Sequence, residues 1–148
     1  MIQRTFAVPP TAADTDNDGV PDWWTQTYFG HPTGRADDHS RADDDASGTH
    51  QNNLFKYVAG LDPTNPASIF RLDIESVPAQ SKQWRLIFSP RWQDRIYTPL
   101  YCTNLSEGTW MTLLPSSESD NGLERVVVDT NAQDNVKFYR VRIQQATE

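Results

Sequence analysis

The chain has 148 residues and a formal net charge of −7, a length that suits one ordinary domain or two small ones. Residues 1–66 hold four basic and ten acidic residues, every one of the ten an Asp, whereas residues 67–148 hold nine basic and ten acidic residues. This charge split predicts two modules and argues against nucleic-acid binding, which needs a basic surface, and no apolar run is long enough to span a membrane.

The first ten residues are predicted to form an extended N-terminal arm. Ile2, Phe6 and Val8 fall on one side of a two-residue period, and Pro9 and Pro10 then end any regular element. Such an arm could add a strand to the edge of a sheet, either its own or that of a second copy. Addition to a second copy would be a head-to-tail contact that propagates into a homopolymer, and the sequence leaves both alternatives open.

Two short helices are predicted in the acidic part of the chain. The first covers residues 22–29 and ends at Gly30; the second covers residues 51–59 and ends at Gly60, with Leu61 placed for a Schellman ending. The residues expected to form a small core around them are Trp23, Trp24, Tyr28, Leu54, Tyr57 and Leu61.

From residue 69 the hydrophobic period changes to two, which indicates strands. Short strands with regular turn residues between them favour a mainly β fold, an antiparallel β-sandwich of the immunoglobulin or fibronectin type III kind. In the last strand the alternation places Tyr139 inside and Arg140 in water, and Trp84 and Trp110 are expected in the core. The six predicted strands cover residues 69–76, 83–89, 95–103, 109–114, 123–129 and 137–144.

The strongest functional pattern is an Asp-rich loop over residues 14–25, called loop 1 from here on. A calcium loop of twelve residues supplies oxygens from positions 1, 3, 5, 7 and 9, with Gly at position 6 and the backbone carbonyl as the ligand at position 7. Gly19 stands at position 6. The ligands expected for Ca²⁺ are therefore Asp14, Asp16, Asp18, the Val20 carbonyl and Asp22. Mg²⁺ suits such a cage less well because it dehydrates reluctantly.

Loop 1 departs from the pattern at position 12, where Thr25 replaces the usual bidentate Glu. Coordination is then completed by water or by donors from elsewhere, and Thr25 itself is a weaker candidate. The acidic pair and the acidic triplet that follow supply further candidates: Asp37 and Asp38, and Asp43, Asp44 and Asp45.

A second loop of the same length, loop 2, can be drawn over residues 45–56. Its ligand positions carry Asp45, Ser47, Thr49, Gln51, Asn53 and Lys56. His50 stands where Gly is expected and Lys56 where Glu is expected, and a lysine opposes a bound cation. Two interpretations remain open: a weak metal site, or a decayed loop in which the Lys56 ammonium partly replaces the ion.

Residues 14–24, DTDNDGVPDWW, with YFG at residues 28–30, resemble the calcium loops of dockerins and thrombospondin type 3 repeats. The chain is more closely similar to C-terminal modules of large secreted proteins from environmental bacteria, which continue with a second loop, a helix ending as in residues 53–68, and a β-sandwich ending as in residues 138–142. The resemblance covers about residues 14–143 and not the first ten. It implies an extracellular or cell-surface, calcium-binding, non-catalytic module, in a family whose second loop usually carries the full acid set.

Two other function classes fit the sequence less well. An enzyme is not expected, because His31, His39 and His50 lie in polar segments expected to be exposed and no nucleophile motif accompanies them. A glycan-binding module is the alternative function, with Trp92 as the candidate stacking residue in a loop.

The sequence thus predicts three regions: an arm over residues 1–10, a calcium-binding module over residues 11–66 and a β-sandwich over residues 67–148. The preferred function is a structural or assembly protein that associates with itself through the arm. The single cysteine, Cys102, is expected to be a buried thiol.

Overall fold

The computed structural model describes residues 13–78, 80, 82–114, 117–132 and 136–146. It divides into two compact units between Ser68 and Ile69, two residues after the boundary drawn from the sequence. The predicted arm, with Ile2, Phe6 and Val8, lies outside the described residues. None of the helices in the described ranges combines the length and apolar character needed to cross a membrane.

Both predicted helices are present in the first unit. Helix α1 covers Asp22–Phe29 and helix α2 covers Asn53–Ala59. Each ends at a glycine in the left-handed region, Gly30 with φ of 83° and Gly60 with φ of 71°. These endings explain why a residue with a side chain is disfavoured at either position.

The end of α2 is the Schellman ending expected from the sequence. Leu61 N–H donates to the Lys56 carbonyl at 2.8 Å, and Gly60 N–H donates to the Tyr57 carbonyl at 3.2 Å. These two bonds satisfy carbonyl groups that the end of a helix would otherwise leave unpaired. The helix also begins with a cap, because the Asn52 side chain accepts a hydrogen bond from Phe55 N–H.

The first unit has a small aromatic core. Its buried residues are Val20, Trp24, Ala42 and Tyr57. The Trp24 ring lies 5.0 Å from that of Tyr28 and 5.9 Å from that of Tyr57, centroid to centroid. The sequence identified the aromatic members, but it did not identify Val20 and Ala42, which come from loops and have no periodic neighbours.

The second unit is mainly β, as predicted, and its described strands number seven rather than six. The strands are β1 Arg71–Ser76, β2 Trp84–Ser89, β3 Arg95–Cys102, β4 Met111–Thr112, β5 Ser117–Asn121, β6 Glu124–Asp129 and β7 Phe138–Gln145. The sequence did not predict β5, because its residues are all polar and exposed and show no alternation. Strand β4 is shorter than the predicted segment 109–114.

The strands form two antiparallel sheets. One has the order β1-β2-β6-β5 and the other has the order β4-β3-β7. Both sheets contribute to one hydrophobic cluster, with Leu86, Phe88 and Val127 from the first and Tyr97 from the second. Tyr139 packs against this cluster from β7, as the alternation predicted.

The tryptophans of the second unit are less buried than expected. Trp84 is not a core residue, because it stands at the start of β2 with 39% of its surface exposed. Trp110 is half-buried, and the Arg140 guanidinium lies over its ring at 4.2 Å. Trp92 is half-buried as well, and its backbone N–H donates to the Tyr97 hydroxyl.

A buried acidic side chain at the end of β6 is fully partnered within the second unit. Asp129, 3% exposed, accepts hydrogen bonds from Lys137 Nζ at 2.5 Å, the Tyr139 hydroxyl at 2.8 Å and Asn131 N–H at 2.9 Å. Burial raises the pKa of Asp129, but these donors outweigh it and hold the pKa below its ordinary value. Cys102, in β3, is the buried free thiol predicted from the sequence.

Candidate metal centre

Loop 1 brings three carboxylates together. One oxygen from each of Asp14, Asp16 and Asp18 lies within 4.8 Å of the other two. These are positions 1, 3 and 5 of the predicted calcium loop, and their approach follows from alternate residues pointing inward around a tight turn.

The backbone of loop 1 is held by the first of these carboxylates. Asp14 accepts hydrogen bonds from Asp18 N–H at 3.2 Å and from Gly19 N–H at 3.0 Å. Asn17 at position 4 and Gly19 at position 6 adopt left-handed φ values of 53° and 90°. The glycine at position 6 is therefore used for the turn that the pattern requires.

The other two carboxylates reach across to the segment that follows α1. Asp16 accepts a hydrogen bond from Gly34 N–H at 2.8 Å, and Asp18 accepts one from Ala42 N–H at 3.2 Å. A Cβ at Gly34 would lie 2.8 Å from the Arg41 Cα and 3.3 Å from Asp18 Oδ2. The glycine thus permits the close approach, and sequence reasoning missed it because a single Gly in a polar segment has no distinguishing pattern.

The electrostatics of loop 1 oppose full ionisation. Burial, together with the Asp16 and Asp14 carboxylates, raises the pKa of Asp18 above its ordinary value. Among the described residues, no ion pair involves any of these three carboxylates. The cluster therefore lacks a neutralising partner from the described part of the chain.

The remaining residues predicted for loop 1 are placed differently. Asp22 opens α1 outside the three-carboxylate cluster, and its carboxylate accepts hydrogen bonds from the Thr15 N–H and hydroxyl, which lower its pKa. Val20 packs its side chain into the core, and its N–H donates to Asp18 Oδ1 at 2.8 Å. Thr25 lies in α1 and is 2% exposed.

The surplus acids of the first unit fall into separate places. Asp43 and Asp44 line a surface pocket together with Asp16 and Asp18. Asp38 is instead paired with His31, whose Nε2 lies 2.5 Å from its carboxylate.

The pairing corrects the expectation that His31 is exposed. His31 is 7% exposed, and its second ring nitrogen, Nδ1, lies 2.8 Å from the Thr33 carbonyl oxygen. Hydrogen bonding from Ser40, together with that from His31, lowers the pKa of Asp38 to about 2. This carboxylate serves the fold of the 31–40 segment and lies apart from the cluster in loop 1.

Loop 2 repeats the backbone of loop 1 with an offset of 31 residues. Gly48 at position 4 and His50 at position 6 have left-handed φ values of 68° and 62°. Asp45 at position 1 accepts hydrogen bonds from His50 N–H at 2.5 Å and from the Thr49 hydroxyl at 3.4 Å. In both loops the helix begins at position 9, Asp22 in one and Asn53 in the other.

At position 12 the two loops differ. Lys56 is fully buried, and its Nζ donates to Ser47 Oγ at 2.6 Å and to the Asp62 carbonyl at 3.3 Å. Burial lowers the pKa of Lys56, while the Asp45 and Asp62 carboxylates oppose that shift. Burial also raises the pKa of Asp45, but the Thr49 and His50 backbone N–H groups outweigh it and bring the pKa below its ordinary value.

One side chain of loop 2 is incompletely paired. Asn53 is fully buried, and its Nδ2 donates to the His39 and Arg41 carbonyls, each at 2.8 Å. Its Oδ1 is buried without a hydrogen-bond partner among the described residues.

Comparison of the chain with protein-family models, with curated proteins and with solved structures finds no match.

Proposed function

We propose that this protein is a non-catalytic, extracellular, calcium-binding structural module, in which an EF-hand-like pair of loops precedes an immunoglobulin-like β-sandwich. The observation that carries the proposal is the convergence of the Asp14, Asp16 and Asp18 carboxylates on a loop of calcium-binding length. Three carboxylates at such distances repel one another until a cation binds between them.

The chemistry of the loop favours Ca²⁺ over other cations. All the side-chain donors are oxygens, which hard cations prefer, and the cluster contains neither the thiolates nor the imidazoles that favour Zn²⁺ or Cu²⁺. Ca²⁺ accepts six to eight oxygens in an irregular arrangement, whereas Mg²⁺ requires a near-ideal octahedron and retains several waters.

The missing position-12 carboxylate has a nearby replacement. Asp43 and Asp44 line the same pocket as Asp16 and Asp18, so a carboxylate from this later turn supplies the additional ligand. Extracellular modules of this ligand type bind Ca²⁺ with Kd on the order of 10⁻⁴–10⁻³ M, which suits a calcium-rich exterior.

The test is hydrogen exchange of the full chain, read by mass spectrometry in Ca²⁺ and in EDTA. With Ca²⁺ at 100 times its Kd, linkage predicts stabilisation of the first unit by about 2.7 kcal/mol, or roughly 100-fold slower exchange through opening of the unit. Peptides from β2, β3 and β6 should exchange at the same rate in both conditions. Equal exchange of the first unit with and without Ca²⁺ would contradict the proposal.

Matched variants separate a specific site from a general charge effect. Asp16→Asn combined with Asp18→Asn should abolish the Ca²⁺ effect, because both carboxylates belong to the cluster. Asp37→Asn removes one exposed charge from the same unit and should preserve the effect. Loss of the effect in both variants would indicate diffuse electrostatic binding.

The assembly role is supported by the edge strands of the two sheets. Within the described structure, each edge strand pairs with a neighbouring strand on one side only. Strand β7, eight residues long, is one such edge, and it pairs with β3. An incoming strand with apolar side chains at alternate positions, as at Ile2, Phe6 and Val8, could complete an edge of this kind in a second copy. Deleting residues 1–8 should then abolish filaments in electron micrographs, and filaments that persist after the deletion would exclude this mode of assembly.

A further inference from the structure

Loop 2 has the conformation of a cation-binding loop and contains a cation of its own. Its left-handed residues fall at the same positions as those of loop 1, and in both loops the position-1 carboxylate binds the position-6 N–H. The backbone of loop 2 therefore does not require the acidic ligand set that loop 1 carries.

The oxygens of loop 2 converge in the manner of ligands. The Asp45 carboxylate, Thr49 Oγ1 and Ser47 Oγ, at positions 1, 5 and 3, are joined in a chain of contacts of 3.4 Å each. In a calcium loop these three positions face the ion, and position 12 closes the cage from the opposite side.

Lys56 occupies that closing position with a positive charge. Its Nζ donates a hydrogen bond to Ser47 Oγ at 2.6 Å, so the ammonium group contacts the position-3 oxygen that would face the ion in a calcium loop. Because the side chain is fully buried, the ammonium group is held inside the loop and does not extend into solvent.

We infer that the Lys56 ammonium is the resident cation of loop 2, so that this loop stays folded without metal and the protein binds a single Ca²⁺, in loop 1. The charges agree with this assignment, since Asp45 is the one carboxylate at the ligand positions of loop 2, Asp62 adds a second negative charge near Lys56, and a divalent ion would lie beside an ammonium group. The unpaired Asn53 Oδ1 is the feature that would favour a metal, but it is an uncharged amide oxygen at position 9, the first residue of α2.

Calcium stoichiometry of the full chain, measured by isothermal titration calorimetry, tests this inference. The wild type should bind one Ca²⁺. The double variant Ser47→Asp, Lys56→Glu should bind two, because it restores carboxylates at positions 3 and 12. Two ions in the wild type, or no additional ion in the double variant relative to the wild type with an unchanged circular dichroism spectrum, would overturn the inference.

The ion count rests on the proposed calcium function of loop 1, and the same double variant distinguishes the two claims. In a background of Asp16→Asn and Asp18→Asn the double variant should bind one ion, at loop 2, whether or not loop 1 binds Ca²⁺ in the wild type. If the wild type binds none and the double variant binds one, the proposed function fails and the role of Lys56 stands.

A measurement on the wild type covers the case in which the double variant does not fold. The Lys56 ammonium should give a ¹⁵N-correlated NMR signal in EDTA, because burial and hydrogen bonding slow its exchange with water, and Lys56→Met identifies the signal by its loss. The signal should keep its position when Ca²⁺ is added. Displacement or loss of the signal at saturating Ca²⁺ would show that the metal competes for the loop and would refute the inference.

Discussion

The two units differ in the partners that they provide for closely packed carboxylates. In the second unit, Asp129 is buried and receives hydrogen bonds from a lysine, a tyrosine and a backbone N–H. In the first unit, Asp14, Asp16 and Asp18 converge on one another, and their hydrogen bonds come from backbone N–H groups. The pKa of Asp129 is accordingly lowered, whereas that of Asp18 is raised.

Under the proposed function, this difference determines which carboxylates bind an external cation. A buried carboxylate that contacts a lysine is neutralised within the chain, so its unit is expected to fold without metal. A carboxylate cluster whose donors among the described residues are backbone N–H groups keeps its charge repulsion, which a bound cation would relieve. Loop 2 is part of the first unit, but it resembles the Asp129 site of the second unit, because a buried lysine, Lys56, supplies a positive charge near its Asp45 carboxylate.

The largest expected effect comes from removing the lysine that pairs with Asp129 in the second unit. Lys137→Met leaves the Asp129 carboxylate buried without its charge partner, which costs about 3–5 kcal/mol of stability. Denaturant unfolding should show this loss equally in Ca²⁺ and in EDTA. Arg142→Met, which removes an exposed positive charge from the same unit, should alter stability by no more than about 0.5 kcal/mol. A loss that Ca²⁺ reverses would break the proposed contrast between the units.

A smaller effect is expected from filling the close approach in the first unit. Gly34→Ala places a Cβ against the Arg41 backbone and next to Asp18, and overpacking of this kind costs about 1–3 kcal/mol. It should also weaken Ca²⁺ binding, because Gly34 N–H orients Asp16.

The control for this substitution is Gly48→Ala in loop 2. Gly48 has a left-handed φ of 68° and open space around its Cα, so alanine there adds backbone strain without a clash. It should lower stability and leave the Ca²⁺ affinity of the full chain unchanged in calorimetric titration. Equal loss of Ca²⁺ affinity in both variants would mean that the conformation of loop 2 affects Ca²⁺ binding at loop 1.

The smallest effect is expected at the beginning of α2. Asn52→Ala removes the side-chain acceptor for Phe55 N–H and should cost about 1 kcal/mol in thermal unfolding of the first unit. Since the cap carries no charge, the number of bound Ca²⁺ ions should not change. A changed ion count would show that the α2 start is part of a metal site.

Local rules of sequence were sufficient for much of this structure. Gly30 and Gly60 mark the helix ends because glycine adopts the left-handed conformation of a helix ending without a steric penalty, and both helices end there. Alternation identified β2, β3, β6 and β7, whose buried faces are apolar. It could not identify β5, which pairs through its backbone and has no buried face.

The candidate site was predictable in part for the same reason. The spacing of Asp14, Asp16 and Asp18 predicts that their carboxylates converge, because the side chains at alternate positions of a tight loop point towards the centre of the loop. The contributions of Gly34 and Ala42 depend on the chain returning to loop 1 from elsewhere, which no local pattern records. The exposure of Trp84 was also missed, because alternation gives the side of a sheet and not the distance from its end.

The burial of two of the lysines has a practical consequence for measuring how the protein opens. The chain contains three lysines, Lys56, Lys82 and Lys137. Lys82 is exposed, whereas Lys56 is fully enclosed in the first unit and Lys137 is paired with Asp129 in the second. An amine-reactive reagent should therefore modify the exposed Lys82 first. It should modify Lys56 and Lys137 only when the unit that contains each of them opens. Timed acylation of the wild-type protein, followed by mass spectrometry, would give a separate opening rate for each unit in one experiment.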